Sequence, residues 1–190
     1  MVRILNRDEF AMQKQVVLKK LRTSVFIYPT DTIYGIGCNA LDEELVHKVR
    51  AIKKRHAMPF SVIAPSKEWI RHHCILPPEG EEWLDRLPGP YTLVLRLKDP
   101  ESIPSAVNMG LDTLGIRIPD NWFSDVVAEL GLPVVTTSAN LTGEDHMTAL
   151  ENINPIIRKN MDIIFYVGEL KGRPSTIVRL DTGSLELRER

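Results

Sequence analysis

The feature that most constrains this chain is a recurring unit: a short apolar, β-rich run that stops at a proline or a polar loop, followed by a stretch with helical spacing. Residues 24–28 (SVFIY) are halted by Pro29 and deliver PTDTIYG, and residues 134–137 (VVTT) run into SANLTG. Such runs read as buried strands. The loops at their ends are where binding groups collect, because a sheet holds them rigidly.

Between the strands lie amphipathic helices. Phe10, Val17, Leu18 and Leu21 recur at helical spacing behind a cap at Asn6 or Asp8. Asp42 opens a second helix with Leu45, Val49 and Ile52 on one stripe and Arg50, Lys53 and Lys54 on another. Strands are expected at 60–64, 91–97, 115–118, 163–167, 175–180 and 185–187, and helices at 66–73, 79–87, 122–130 and, despite Pro155, 149–159. The alternation predicts an α/β sheet with some antiparallel pairs. With no repeat or linker, residues 1–190 read as a single domain.

Charge narrows the function. Lys plus Arg number 24 against 25 for Asp plus Glu, so the net charge of -1 provides no global attraction to nucleic acid or anionic membrane. Any basic site must be local. Cys38 and Cys74 lack CxxC spacing and read as core thiols in a reducing compartment. The first 21 residues mix charges among apolar positions, unlike a signal peptide, and no run approaches a membrane span of about 18 apolar residues. The expectation is a cytoplasmic protein with no membrane association.

Four segments could carry chemistry. Lys53, Lys54, Arg55 and His56 form a cationic helix end that either grips phosphates or complements the helix dipole in water. PTDTIYGIG places Thr30, Asp31, Thr32 and Tyr34 directly after a strand, as a ligand loop or a hydrogen-bonded turn. Arg117 sits in an apolar strand, where a guanidinium needs a carboxylate or phosphate from a ligand, or a salt-bridge partner from the protein. TTSANLTG offers Thr136, Thr137, Ser138, Asn140 and Thr142 to a turn or a ligand. There is no phosphate-loop, GxGxxG, HExxH or GxSxG motif, and the histidines lack metal-ligand spacing.

Taken together and in order, PTDTIYGIG, IKKRHAMPFS, PGPYTLVL, GIRIPD, TTSANLTG and PSTIV resemble the YrdC/TsaC family of threonylcarbamoyl-AMP synthases. The resemblance implies a strongly twisted mixed β-sheet with flanking helices around a concave cationic groove. It implies formation of threonylcarbamoyl-AMP and pyrophosphate from L-threonine, bicarbonate or CO2, and ATP with Mg²⁺. The product would pass to a separate transfer complex that modifies tRNA.

By position, Thr32 and Arg117 would hold threonine, with Ser138 and Ser175 adding hydroxyls. Lys53 and Arg55 would hold the triphosphate as the catalytic pair. Asn140, Thr148 and Arg188 match ATP-contacting positions, and Thr113 lies beside the nucleotide. Met58, Ile63, Asn121 and Arg179 depart from residues frequent in the family. The chain ends two residues after Arg188, as in the short, single-domain branch. A carbamoyl-adenylate-forming enzyme and a non-catalytic protein that binds structured RNA through the same groove are the alternatives.

Overall fold

The computed structural model describes residues 2–182 and 186–188, with Glu186 and Arg188 described by backbone only. Among the described residues eleven strands make one mixed sheet: β1 (Arg3–Leu5), β2 (Phe26–Tyr28), β3 (Gly35–Gly37), β4 (Ser61–Ile63), β5 (Cys74–Ile75), β6 (Tyr91–Leu97), β7 (Thr113–Arg117), β8 (Val134–Ser138), β9 (Ile163–Phe165), β10 (Thr176–Arg179) and β11 (Glu186–Arg188). Their order is β1-β9-β2-β3-β8-β4-β7-β6-β10-β11, with β5 paired to β6. The β1–β9, β2–β9, β4–β7 and β6–β10 pairs are parallel and the others antiparallel.

The helices are α1 (Arg7–Met12), α2 (Lys14–Leu21), α3 (Glu43–Lys53), α4 (Lys67–His73), α5 (Gly80–Asp85), α6 (Ser105–Asn108), α7 (Phe123–Leu130) and α8 (Pro155–Asn160). Strand alternation divides the core between the two faces of the sheet. Phe26, Tyr28, Ile63, Val134 and Phe165 pack with Phe10, Val17, Leu21, Phe123 and Val127 from α1, α2 and α7. Their strand neighbours Ile27, Val62, Val135 and Ile164 face Val46, Val49, Ile52, Ile70, Leu84, Val107 and Ile157 from α3, α4, α5, α6 and α8. Each large side chain so buried contributes roughly 1.5–3 kcal/mol.

Several local outcomes differ from the pattern-based expectation. The first helix breaks at Gln13 into α1 and α2, with Asn6 rather than Asp8 as its cap. Residues 149–159 are not one helix: a 3-10 turn at Leu150–Asn152 precedes α8, which begins at Pro155. A proline fits a first helical position because the amide hydrogen it lacks would have no partner there. The strands β1, β3 and β5 are additional. Of the cationic stripe of α3 only Lys54 is exposed to solvent, since Arg50 is 7% and Lys53 1% exposed.

Candidate ligand-binding site

Tyr28, Gly35 and Ser138 lie side by side across β2, β3 and β8, so the loops after β2 and β8 emerge together. The β2–β3 approach is close: a methyl group on Gly37 would meet Tyr28 at 2.7 Å and the Val135 carbonyl oxygen at 2.8 Å. Beyond these strand ends lies a cavity of about 210 Å³, whose lining includes Thr30, Tyr34, Arg117, Ser138, Asn140 and Ser175. A second, of about 230 Å³, is lined by Arg55, Met58, Thr113 and Arg179 among others. Both include Ser61 and Thr92, so the two are adjoining compartments.

The first compartment is built from buried polar groups that satisfy one another. Thr30 Oγ1 donates to the Ile33 carbonyl at 2.7 Å and accepts from the amides of Thr32 and Ile33 at 3.0 and 3.2 Å. It also lies 2.9 Å from Thr32 Oγ1. Arg117 Nη2 donates to Asp31 Oδ1 at 2.5 Å, and Asp31 Oδ2 accepts from the Asp120 amide at 3.0 Å. Arg117 Nη1 reaches Thr32 Oγ1 at 3.4 Å. Burial pulls the Arg117 guanidinium below its ordinary value, with Asp31 opposing.

One donor is left over. Arg117 Nε is buried without a hydrogen-bond partner, which costs about 1–3 kcal/mol unless an acceptor arrives. Opposite, Ser175 Oγ and Thr92 Oγ1 are 2.8 Å apart. Ser138 Oγ donates to Asn140 Oδ1, while Asn140 Nδ2 donates to the Glu144 carbonyl at 2.6 Å.

Lys53 stands behind this loop. Its Nζ donates to the Ser138 carbonyl at 2.5 Å, the Asn140 carbonyl at 2.7 Å and Asn140 Oδ1 at 3.2 Å. The Lys53 carbonyl in turn accepts from Thr142 through its amide at 3.1 Å and its hydroxyl at 2.9 Å. An ammonium has three protons, and three acceptors already surround this one. Desolvation, with a smaller contribution from Arg55, pulls its pKa down to about 7.

The second compartment rests on the turn after α3. Lys54 takes the left-handed conformation at φ 52°, and the Arg55 guanidinium lies 5.3 Å from the Phe60 ring centre. Arg55 Nη2 donates to the Pro59 carbonyl at 2.7 Å.

A third segment crosses the first compartment. Tyr34 Oη donates to the Gly168 carbonyl at 2.7 Å and accepts from the Val167 amide at 3.1 Å, and the chain then runs to Pro174 and Ser175 in the cavity wall. On the way Gly172 sits directly against the Thr32 backbone, where a Cβ would collide with the carbonyl oxygen.

The structure thus gathers Arg117, Ser138, Asn140 and Ser175 in one lining and Arg55 and Thr113 in the other, with Thr32 bonded to Arg117 and Lys53 beneath the Ser138 loop. Thr148 is in neither lining; its hydroxyl accepts from Asn152 Nδ2 at 2.7 Å and its carbonyl from the Leu170 amide at 2.9 Å. The Arg188 side chain lies outside the described residues. Of the departures, Met58 and Arg179 line the second compartment, Ile63 is core, and the Asn121 side chain accepts from the Phe123 amide at 3.0 Å. Sequence reasoning did not nominate Ser61, Thr92 or His146, which also line the first compartment. Thr92 was legible only as one polar residue within YTLVLRL.

The structure is thus a mixed α/β sheet with hydroxyls, an amide and a buried guanidinium gathered at its strand ends. Residues 21–189 match the Sua5/YciO/YrdC family model, whose description reads "Telomere recombination", and the chain belongs to that family. It is 36% identical over 185 residues to a Methanocaldococcus jannaschii protein provisionally named threonylcarbamoyl-AMP synthase, covering 93% of this chain and 84% of that one. It is 33% identical over 158 residues to the threonylcarbamoyl-AMP synthase of Pyrococcus abyssi, covering 80% of this chain but 46% of that one. Among solved structures, Pyrococcus abyssi Sua5 complexed with L-threonine superposes with a TM-score of 0.86 at 28% identity, over 98% of this chain and 56% of that one. The chain therefore spans about half the length of the Pyrococcus relative and most of the Methanocaldococcus one.

Proposed function

We propose that this chain is an L-threonylcarbamoyladenylate synthase, joining L-threonine, bicarbonate or CO2, and ATP. The observation that carries the proposal is the buried Arg117, fixed by Asp31 and set in the wall of a cavity of hydroxyls. That is a receptor for an amino-acid carboxylate. The likeness to an L-threonine complex supports the same ligand.

In this reading Arg117 and Thr32 hold the threonine carboxylate end, with Ser138 and Ser175 contributing hydroxyls. ATP takes the compartment of Arg55 and Thr113, while Asn140, expected to contact ATP, lines the other compartment. A carbamate oxygen on the threonine nitrogen attacks the α-phosphorus, the α–β phosphoanhydride bond breaks, and pyrophosphate leaves. Arg55 offsets the charge that develops on the leaving group, while the hydroxyl-lined compartment keeps the carbamate in line. Lys53 fixes the Ser138–Asn140 loop rather than a phosphate.

Mg²⁺ accompanies ATP as its phosphate complex; among the described residues no three His, Cys, Asp or Glu side chains cluster as a metal site. The product is a labile mixed anhydride that a separate complex would pass to tRNA. Among the described residues no helix is long and apolar enough to cross a membrane, and a cytoplasmic setting fits this role.

The test is mass spectrometry of the protein incubated with ATP, Mg²⁺, bicarbonate and L-threonine. Threonine-dependent threonylcarbamoyl-AMP with pyrophosphate is the expected result. Adenylate formed only when carbamoyl phosphate replaces threonine would move the chain to the carbamoyl-adenylate class. Salt-sensitive RNA binding with no adenylate would overturn an enzymatic role.

A further inference from the structure

Arg50 lies one turn before Lys53 on α3, yet its guanidinium is turned inward and no ion pair to it is found among the described residues. Four backbone carbonyls surround it instead. Nε donates to Ala106 at 2.6 Å and Nη2 to Val107 at 3.2 Å, both on α6, while Nη1 donates to Arg55 at 3.1 Å and Met58 at 3.0 Å. The attachment to Arg55 is reciprocal, because the Arg50 carbonyl accepts from the Arg55 amide at 3.0 Å.

Aromatic packing extends the link. The Arg50 guanidinium lies 4.4 Å from the Phe60 ring centre, and the Arg55 guanidinium shares the same ring at 5.3 Å. Phe60 is itself tied to α6, since its amide donates to the Val107 carbonyl at 2.8 Å. Arg50 therefore joins three things that no local pattern would join: the end of α3, the last turn of α6, and the backbone of the segment carrying Arg55.

A buried arginine whose charge is met only by carbonyls is costly unless their geometry is fixed. Here two of the four carbonyls belong to α6 and two to the 55–58 turn, which has no regular secondary structure of its own. We infer that Arg50 is a positioning residue for the nucleotide compartment: it sets the 55–58 turn so that Arg55 faces the incoming phosphates. This rests on the assignment of that compartment to ATP.

The experiment measures ATP and L-threonine affinity separately by calorimetry, for wild type, Arg50→Met, Arg50→Lys, Arg55→Ala and the Arg50→Met/Arg55→Ala pair. ATP affinity should fall about tenfold in Arg50→Met while threonine affinity stays within about twofold. Arg50→Lys, which keeps the charge and the stem, should recover part of the loss. The paired variant should be scarcely weaker for ATP than Arg55→Ala alone, because both changes act through one side chain.

Unchanged ATP affinity in folded Arg50→Met overturns the inference, as does a paired loss equal to the product of the single losses. Equal weakening of ATP and threonine overturns it too, since a general loss of structure does not choose between ligands. If Arg50→Met does not fold, the same comparison in Arg50→Lys decides. Wild type that binds neither ligand refutes the assignment of the compartments instead, so the two failures are separable.

Discussion

The two compartments present a cation in opposite ways. Around Arg117 the groups are buried, come from strand ends, and bond one another before any ligand arrives. Around Arg55 the cation stands on a turn, kept in place by carbonyls of its own segment, an aromatic face and a buried neighbour. The first is a rigid socket whose loss endangers the fold. The second is a mounted group whose loss touches mainly the ligand.

Substitutions can break that comparison, and the largest effect belongs to the socket. Arg117→Met leaves Asp31 as a buried carboxylate without its cation, which should destabilise the protein by about 3–5 kcal/mol and abolish threonine binding. Denaturant midpoints and titration calorimetry measure the two. A variant as stable as wild type would mean that Asp31 finds another partner.

Arg55→Ala should do the reverse. Product formation is expected to fall about 10²–10³-fold, as for a lost transition-state donor. Its folding stability should change by no more than about 0.5 kcal/mol, as for surface positions. Single-turnover mass spectrometry and a thermal melt report both, and a large drop in stability would erase the distinction between the compartments.

A smaller effect sharpens the socket side. Ser175→Ala strips Thr92 Oγ1 of its buried partner and should cost about 1–3 kcal/mol together with some threonine affinity. Equal losses of ATP and threonine affinity would show that the hydroxyl pair supports the sheet rather than the ligand.

A further test is a pH dependence. Burial lowers Lys53 from an ordinary 10.5 to about 7. Between those values the unfolded chain binds the extra proton, so stability rises with pH through the window and levels above it. Wild type should gain melting temperature relative to Lys53→Met as pH is raised from about 7 toward 10, the window set by the lowered and ordinary values. A constant difference would mean that the three carbonyl acceptors keep the ammonium charged.

The sheet and most of its helices were legible in the sequence because period and punctuation are local properties. Residues 91–97 alternate and become β6, Asp42 caps α3, and Pro29 closes β2. What escaped depended on partners far along the chain. GIG has little intrinsic tendency to be a strand; it becomes β3 because glycines let it lie under the Tyr28 ring. Arg50 and Lys53 carry the sequence pattern of a solvated stripe, and only carbonyls at Ala106, Val107, Ser138 and Asn140 turn them inward. Arg117 was recognisable as a guanidinium in need of an anionic partner, but its pairing with Asp31, 86 positions away, was not.

In terms of mutational reach, Gly172 is a dead end. Every other amino acid begins its side chain with a carbon where the Thr32 carbonyl already stands. A change there must therefore displace the backbone that crosses the first compartment before any property of the new side chain can matter. Selection for a different amino-acid substrate would have easier routes on either side, through Pro174 and Ser175 or through the Ser138 loop, leaving residue 172 as the fixed point about which the rest can vary.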